Sequence, residues 1–168
     1  MLVVIIFNII SFFLQGIISN YLNYTISNPS LLSTIYTIIT IIIVSKYFDD
    51  ERKYYFLAFI LGLLYDLVYT NTFVLNAILF FTIALIARYF TNLLSDNIIS
   101  VNVISLASIF IYHILSFIIL GIISYNTYNI KLLLIICTHS IIMTLIYTTI
   151  MYLLSNYIST KIEIKLIR

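Results

Sequence analysis

The sequence predicts an all-α protein, a bundle of six helices that cross a lipid bilayer. Three observations lead there. Of the 168 residues, 63% are hydrophobic and only 8% are charged, whereas a soluble globular chain carries charge on about a quarter of its residues. The apolar residues fall into six runs, and a bilayer core of about 30 Å calls for about 20 apolar residues per helix. The Lys and Arg residues gather on one side of the membrane that these runs define. The loops are too short to hold a second domain, so residues 1–168 are expected to form a single transmembrane domain.

In chain order the predicted spans are Leu2–Leu22, Pro29–Phe48, Tyr54–Tyr69, Phe73–Leu93, Ile99–Ser124 and Lys131–Tyr157. The first has no basic leading region and no small-x-small cleavage site, and it runs too long for a signal peptide. It carries Asn8, Ser11, Gln15 and Ser19 at three- and four-residue intervals, which makes one polar stripe. In lipid an amide side chain stabilises a helix contact by roughly 0.6–2 kcal/mol. The stripe therefore serves either packing within the bundle or, as a candidate partner-helix face, another protein's transmembrane helix. Pro29 suits the first turn of the second helix, with Asn28 or Ser27 as cap. The third span is short, and only Thr70-Asn71-Thr72 separates it from the fourth, which predicts a tight antiparallel hairpin.

Orientation follows from the cations. Lys46, Arg52, Lys53, Arg88, Lys161, Lys165 and Arg168 fall on one side and Lys131 alone on the other, so both termini are expected in the cytoplasm. Trp is absent, and tyrosine is expected to form the interfacial belts: Tyr21, Tyr24, Tyr69, Tyr125 and Tyr128 outside, Tyr47, Tyr54, Tyr55, Tyr89 and Tyr157 inside. Arg88, at the inner end of the fourth span, is expected to snorkel to the headgroups.

Enzyme chemistry has little to stand on. The chain holds three Gly and one Cys, which leaves no phosphate-cradling loop, no intrachain disulfide and no thiolate metal cluster. No nucleophile stands beside a base. His113 and His139 fall at similar depth on the last two spans, but no third ligand is spaced with them, so no metal or other cofactor is expected. A net charge of +2 gives no sign of nucleic-acid binding.

Asp66 stands out. A carboxylate near mid-membrane costs roughly 2.5–3.5 kcal/mol on insertion scales, so it needs a compensating role. Ala58, Gly62 and Asp66 recur at i, i+4, i+8 and share a helix face, where small residues let backbones approach closely. Three roles are open: accepting the free backbone N–H groups at the start of the fourth helix, contacting a partner or ligand, or transferring a proton. If accepting hydrogen bonds is enough, Asp66→Asn should be mild.

The segment Gly62-Leu63-Leu64-Tyr65-Asp66, then Tyr69-Thr70-Asn71 and Leu75-Asn76-Ala77, resembles the signature of the MreD family of rod-shape-determining bacterial membrane proteins. The likeness extends over nearly the whole chain in size, span number and spacing. Family members often carry Gly in the turn after the Asp, where this chain has Val74, which implies a looser turn here. The resemblance implies a six-helix fold similar to the substrate-binding subunits of energy-coupling-factor transporters. It also implies a non-enzymatic scaffold of the cell-elongation (peptidoglycan-synthesis) machinery in the bacterial cell membrane. Its expected partner is an MreC-like protein, together with RodA, a class B penicillin-binding protein and cytoplasmic MreB. The implied motif and hairpin residues are Gly62, Leu63, Leu64, Tyr65, Asp66, Asn71 and Asn76. The competing expectation is a transporter subunit that captures a vitamin or metal. Such subunits tend to show an Ala-rich docking face on the first helix, and Leu2–Leu22 contains no Ala.

Overall fold

The computed structural model describes residues 2–25, 34–70, 72–122 and 130–162, and every regular element among them is helical. The helices are α1 (Leu2–Thr25), α2 (Tyr36–Val44), α3 (Glu51–Val68), α4 (Leu75–Leu93), α5 (Ile98–Ile122) and α6 (Ile130–Ile162). A 3-10 turn, Ser45–Tyr47, continues α2. One hydrophobic cluster draws on all six helices, from Val4 and Phe7 to Met151 and Tyr152.

The pattern of burial is inverted relative to a water-soluble bundle, in which the polar stripe of a helix faces outward. In α1 the buried residues include Asn8 (2% exposed), Ser11 (0%) and Gln15 (7%), while Ile6, Ile10, Phe13 and Ile17 are turned out. In α6, Ser140, Thr144, Thr148 and Ser155 are buried, and Ile142, Ile146, Ile150 and Leu153 are exposed. Apolar surroundings reverse the arrangement, because a hydroxyl or amide finds its hydrogen bonds only inside the protein. Three helices, α4, α5 and α6, are long and apolar enough to cross a membrane. The protein is a helical membrane protein.

The outward face of α1 is apolar, and its polar stripe is occupied within the bundle. Ser11 Oγ bonds to Thr40 of α2 and, at 2.7 Å, to the Tyr147 hydroxyl of α6. Asn8 Nδ2 donates to the carbonyl of Val4 at 2.8 Å. Of the two roles open to the stripe, Asn8, Ser11 and Gln15 take packing within the bundle: all three are buried, and Ser11 and Gln15 bond to α2 and α6. The side chain of Ser19 lies outside the described residues.

All nine residues of α2 are buried, and α1, α4, α5 and α6 surround it. This matches a helix that is apolar all round. Its sequence, Tyr-Thr-Ile-Ile-Thr-Ile-Ile-Ile-Val, is almost wholly β-branched, which lowers helix propensity. The expected single helix over Pro29–Phe48 is accordingly shortened. Ile35 is extended, Val44 passes into the 3-10 turn, and Ser27, Asn28 and Pro29 lie outside the described residues. The Ile35 side chain cannot cap α2; instead Gln15 Oε1 of α1 accepts from the Tyr36 N–H at 2.8 Å.

Two further expectations are corrected at the other end of α2. Arg88 does not snorkel: its side chain is 15% exposed. Its Nη1 and Nη2 donate to the carbonyls of Ser45 (2.6 Å) and Phe48 (2.9 Å), and Glu51 lies 3.7 Å from Nε. The guanidinium thus adds donors to carbonyls where the chain leaves α2; that of Ser45 also accepts from the Phe48 N–H at 3.2 Å. Tyr47 and Tyr54 are buried in the bundle, the Tyr47 hydroxyl being bonded to Ser155 Oγ at 2.6 Å. Tyr89 and Tyr157 are exposed. Helix α3 begins a turn earlier than predicted, because Asp50 caps it by accepting from the Arg52 N–H at 3.0 Å. Of the outer belt, Tyr21, Tyr24, Tyr125 and Tyr128 have no described side chains.

Replacing Gln15 with Leu leaves the Tyr36 N–H buried without its acceptor. A loss of about 1–3 kcal/mol is expected, read as a lower melting temperature of the purified protein by circular dichroism in detergent.

Candidate functional site

Helix α4 begins at Leu75 with Val74 in the N-cap position, and Val74 has no side-chain acceptor to offer. Its first free N–H groups are met from α3 instead. Asp66 Oδ2 accepts from the N–H of Asn76 at 2.9 Å and of Ala77 at 3.2 Å. These are the second and third residues of the helix, the donors that a local Ser or Asp cap would otherwise engage. The carboxylate also sits at the positive end of the α4 dipole.

The second oxygen, Asp66 Oδ1, collects three side-chain donors: Thr72 Oγ1 at 2.6 Å, Asn76 Nδ2 at 2.8 Å and Thr70 Oγ1 at 3.1 Å. The two threonine hydroxyls are themselves 2.8 Å apart. Each of these five bonds brings a donor to Asp66, as a carboxylate acceptor requires. Asn76 carries the network onward, since its Oδ1 accepts from the Tyr112 hydroxyl of α5 at 2.6 Å. Asp66 and Asn76 are both buried. One carboxylate and one amide therefore tie α3, α4 and α5 together in a region where an unsatisfied polar group costs several kcal/mol.

Gly62 sets the distance at which this can happen. A Cβ there would lie 2.5 Å from Ala77 Cα and 2.5 Å from the Asn76 carbonyl oxygen, inside the van der Waals limit of backbone atoms. The missing side chain lets the start of α4 rest on α3 one turn from Asp66. Ala58 is also fully buried along this face. The seam read from i, i+4, i+8 spacing is thus the contact surface of the hairpin.

The other motif residues surround the pin. Tyr65 is buried, its ring 5.1 Å from that of Tyr69 and 5.3 Å from that of Phe80. Tyr69 reaches α1, where its hydroxyl donates to the Phe12 carbonyl at 2.6 Å and packs over Gly16. Leu63 is half-buried and Leu64 exposed, as expected of residues turned from the seam. Asn71 lies outside the described residues.

Val74 stands where the resemblance leads one to expect Gly. It adopts the left-handed conformation, φ 61° and ψ 1°, that Gly would enter freely. For an L-residue this costs roughly 1–2 kcal/mol, and a β-branched side chain makes it an outlier. The turn is held closed by the bonds from Asp66 to Asn76 and Ala77.

Thr70, Thr72 and Tyr112 belong to the site as well, although only Thr70 lies within the quoted motif. Thr70 and Thr72 flank the turn and were legible as turn hydroxyls, whereas Tyr112 follows Asn76 by 36 residues and carries no local signal. His113 and His139 are both half-buried; the His113 ring stands 5.5 Å from that of Tyr112. Among the described residues no group of three His, Cys, Asp or Glu side chains could hold a metal ion. No protein-family model matches the chain, and no curated protein or solved structure is significantly similar to it.

Two substitutions test the pin. Gly62→Ala forces the start of α4 away from Asp66 and is expected to destabilise the protein by about 1–3 kcal/mol, read as a fall in melting temperature in detergent. Asp66→Asn turns an amide NH₂ toward one of two donor sets, so it is no longer expected to be mild. It should cost about 1–3 kcal/mol, and Asp66→Leu, which strands both sets, should cost more. Equal melting temperatures for wild type, Asp66→Asn and Asp66→Leu would remove the structural role assigned to Asp66.

Proposed function

We propose that this chain is a non-enzymatic, MreD-like scaffold of the bacterial cell-elongation machinery. In this reading six helices span the cell membrane, with both termini in the cytoplasm and Asp66 near the outer surface. It binds an MreC-like partner and links cytoplasmic MreB filaments to wall synthases, RodA and a class B penicillin-binding protein among them. One observation carries the reading beyond the sequence resemblance. The Gly62–Asp66 motif and Asn76 are engaged with one another and with backbone, so they act as a fixed joint. A substrate-capturing transporter subunit needs polar groups that converge on a ligand. Here the carboxylate, the amide and the Tyr112 hydroxyl already satisfy each other. Asn8, Ser11 and Gln15 of the α1 stripe are buried inside the bundle, so in this reading the partner docks on another face.

Depletion from a rod-shaped host is expected to round the cells and to scatter the MreC-like partner, as seen by fluorescence microscopy. An Asp66→Leu copy should fail to restore shape. Rods that stay normal on depletion, combined with tight small-molecule binding by the purified protein, would transfer the assignment to the transporter reading.

A further inference from the structure

At the end of α4 opposite the pin, a cavity of about 250 Å³ lies among α2, α4, α5 and α6. Lys46, Arg88, Asn92, Ser95, Asp96 and Ser100 provide its polar wall, and Ile43, Val101 and Ile104 its apolar floor. An apolar cavity of about 150 Å³ holds a benzene ring, so this one has room for a phosphate group and part of whatever bears it.

Both cations have a carboxylate nearby: Glu51, outside the cavity lining, lies 3.7 Å from Arg88 Nε, and Asp96 stands on the wall itself. Asp96 pairs with Lys46 only loosely. Its Oδ2 stands 3.6 Å from Lys46 Nζ, an ion-pair separation too long for a hydrogen bond, and the two side chains are 58% and 25% exposed. An exposed pair of this kind contributes about 0–1 kcal/mol and gives way to a better anion. An ammonium has three donors, and Lys46 commits one of them to a short bond, 2.6 Å to Asn156 Oδ1. The Lys46 Nζ also lies 5.0 Å from the Tyr152 ring centroid, which keeps it at the cavity. Arg88, anchored by the Ser45 and Phe48 carbonyls, has a buried Nε–H without a hydrogen-bond acceptor. Its charge is held in place whatever Lys46 does.

We infer that this cavity binds a phosphate group, with Lys46 exchanging Asp96 for it and Arg88 supplying a fixed second charge. The group belongs either to an anionic phospholipid headgroup or to a soluble phosphate. Both reach a site on the Lys- and Arg-rich side of a membrane protein. The inference does not depend on the scaffold reading.

The test uses the full chain in two forms. In nanodiscs of phosphatidylcholine with a minor fraction of phosphatidylglycerol, retained lipid is counted by native mass spectrometry. In detergent, inorganic phosphate is titrated and followed by phosphorus NMR. The wild type should bind phosphatidylglycerol in preference to phosphatidylcholine, or bind inorganic phosphate. The arm that responds identifies the source, and response in both means that the phosphate alone suffices. Lys46→Gln should weaken binding at least about tenfold by loss of a charge-assisted contact. Asp96→Asn, which removes the competing carboxylate, should strengthen it up to about fivefold. If Lys46→Gln fails to fold, Asp96→Asn, at an exposed side chain, decides the matter alone. Binding of neither probe by the wild type, equal retention of both lipids without phosphate binding, or unchanged binding in Asp96→Asn would each overturn the inference.

Discussion

Much of this structure depends on one requirement: a helix end inside a membrane protein must find hydrogen-bond partners without water. Asp66 answers it for α4. Its carboxylate crosses from α3 to the second and third N–H groups of the next helix, doing from a distance what a cap residue does locally. Gly62 permits the approach, Asn76 links the carboxylate to Tyr112 on α5, and Val74 is bent into the left-handed region to close the turn. Removing the acceptor would leave both the helix end and the turn without support.

The same solution recurs at other helix ends. Gln15 of α1 accepts from the first N–H of α2, where Ile35 has nothing to offer. Arg88 of α4 donates to carbonyls at the exit of α2 and of its 3-10 turn. In each case a long polar side chain from one helix satisfies the backbone of another. A β-branched, fully buried helix such as α2, with low intrinsic propensity, is therefore stabilised by its neighbours rather than by its own sequence. Charged residues are few, and several of the polar residues inside the bundle act as fasteners between helices. This explains why the polar stripes of α1 and α6 point inward.

Two regions of the bundle are thus chemically distinct. Around Asp66 the donors and acceptors are matched and the groups are fixed. Around Lys46 and Arg88 each cation has only a long ion pair to an exposed carboxylate, Asp96 at 3.6 Å and Glu51 at 3.7 Å. A saturated network suits a rigid joint, and an unsaturated cationic cavity suits a bound anion.

Composition, the apolar runs and the Gly62–Asp66 spacing were enough to determine a helical membrane protein with a hairpin at α3–α4 and Asp66 at its end. Those properties are local or statistical: charge density, run length and helical period all lie along the chain. The i+4 recurrence of Ser140, Thr144 and Thr148 was legible in the same way. Only the tertiary structure decided which way the polar stripe of α1 faces, since period alone cannot tell an inward stripe from an outward one when the surroundings are lipid. It also decided that Arg88 turns in to carbonyls from Ser45 and Phe48, and that Tyr112 completes the Asp66 network. Those partners lie 36 to 43 residues apart, and no rule of sequence spacing brings together groups that only helix packing makes neighbours.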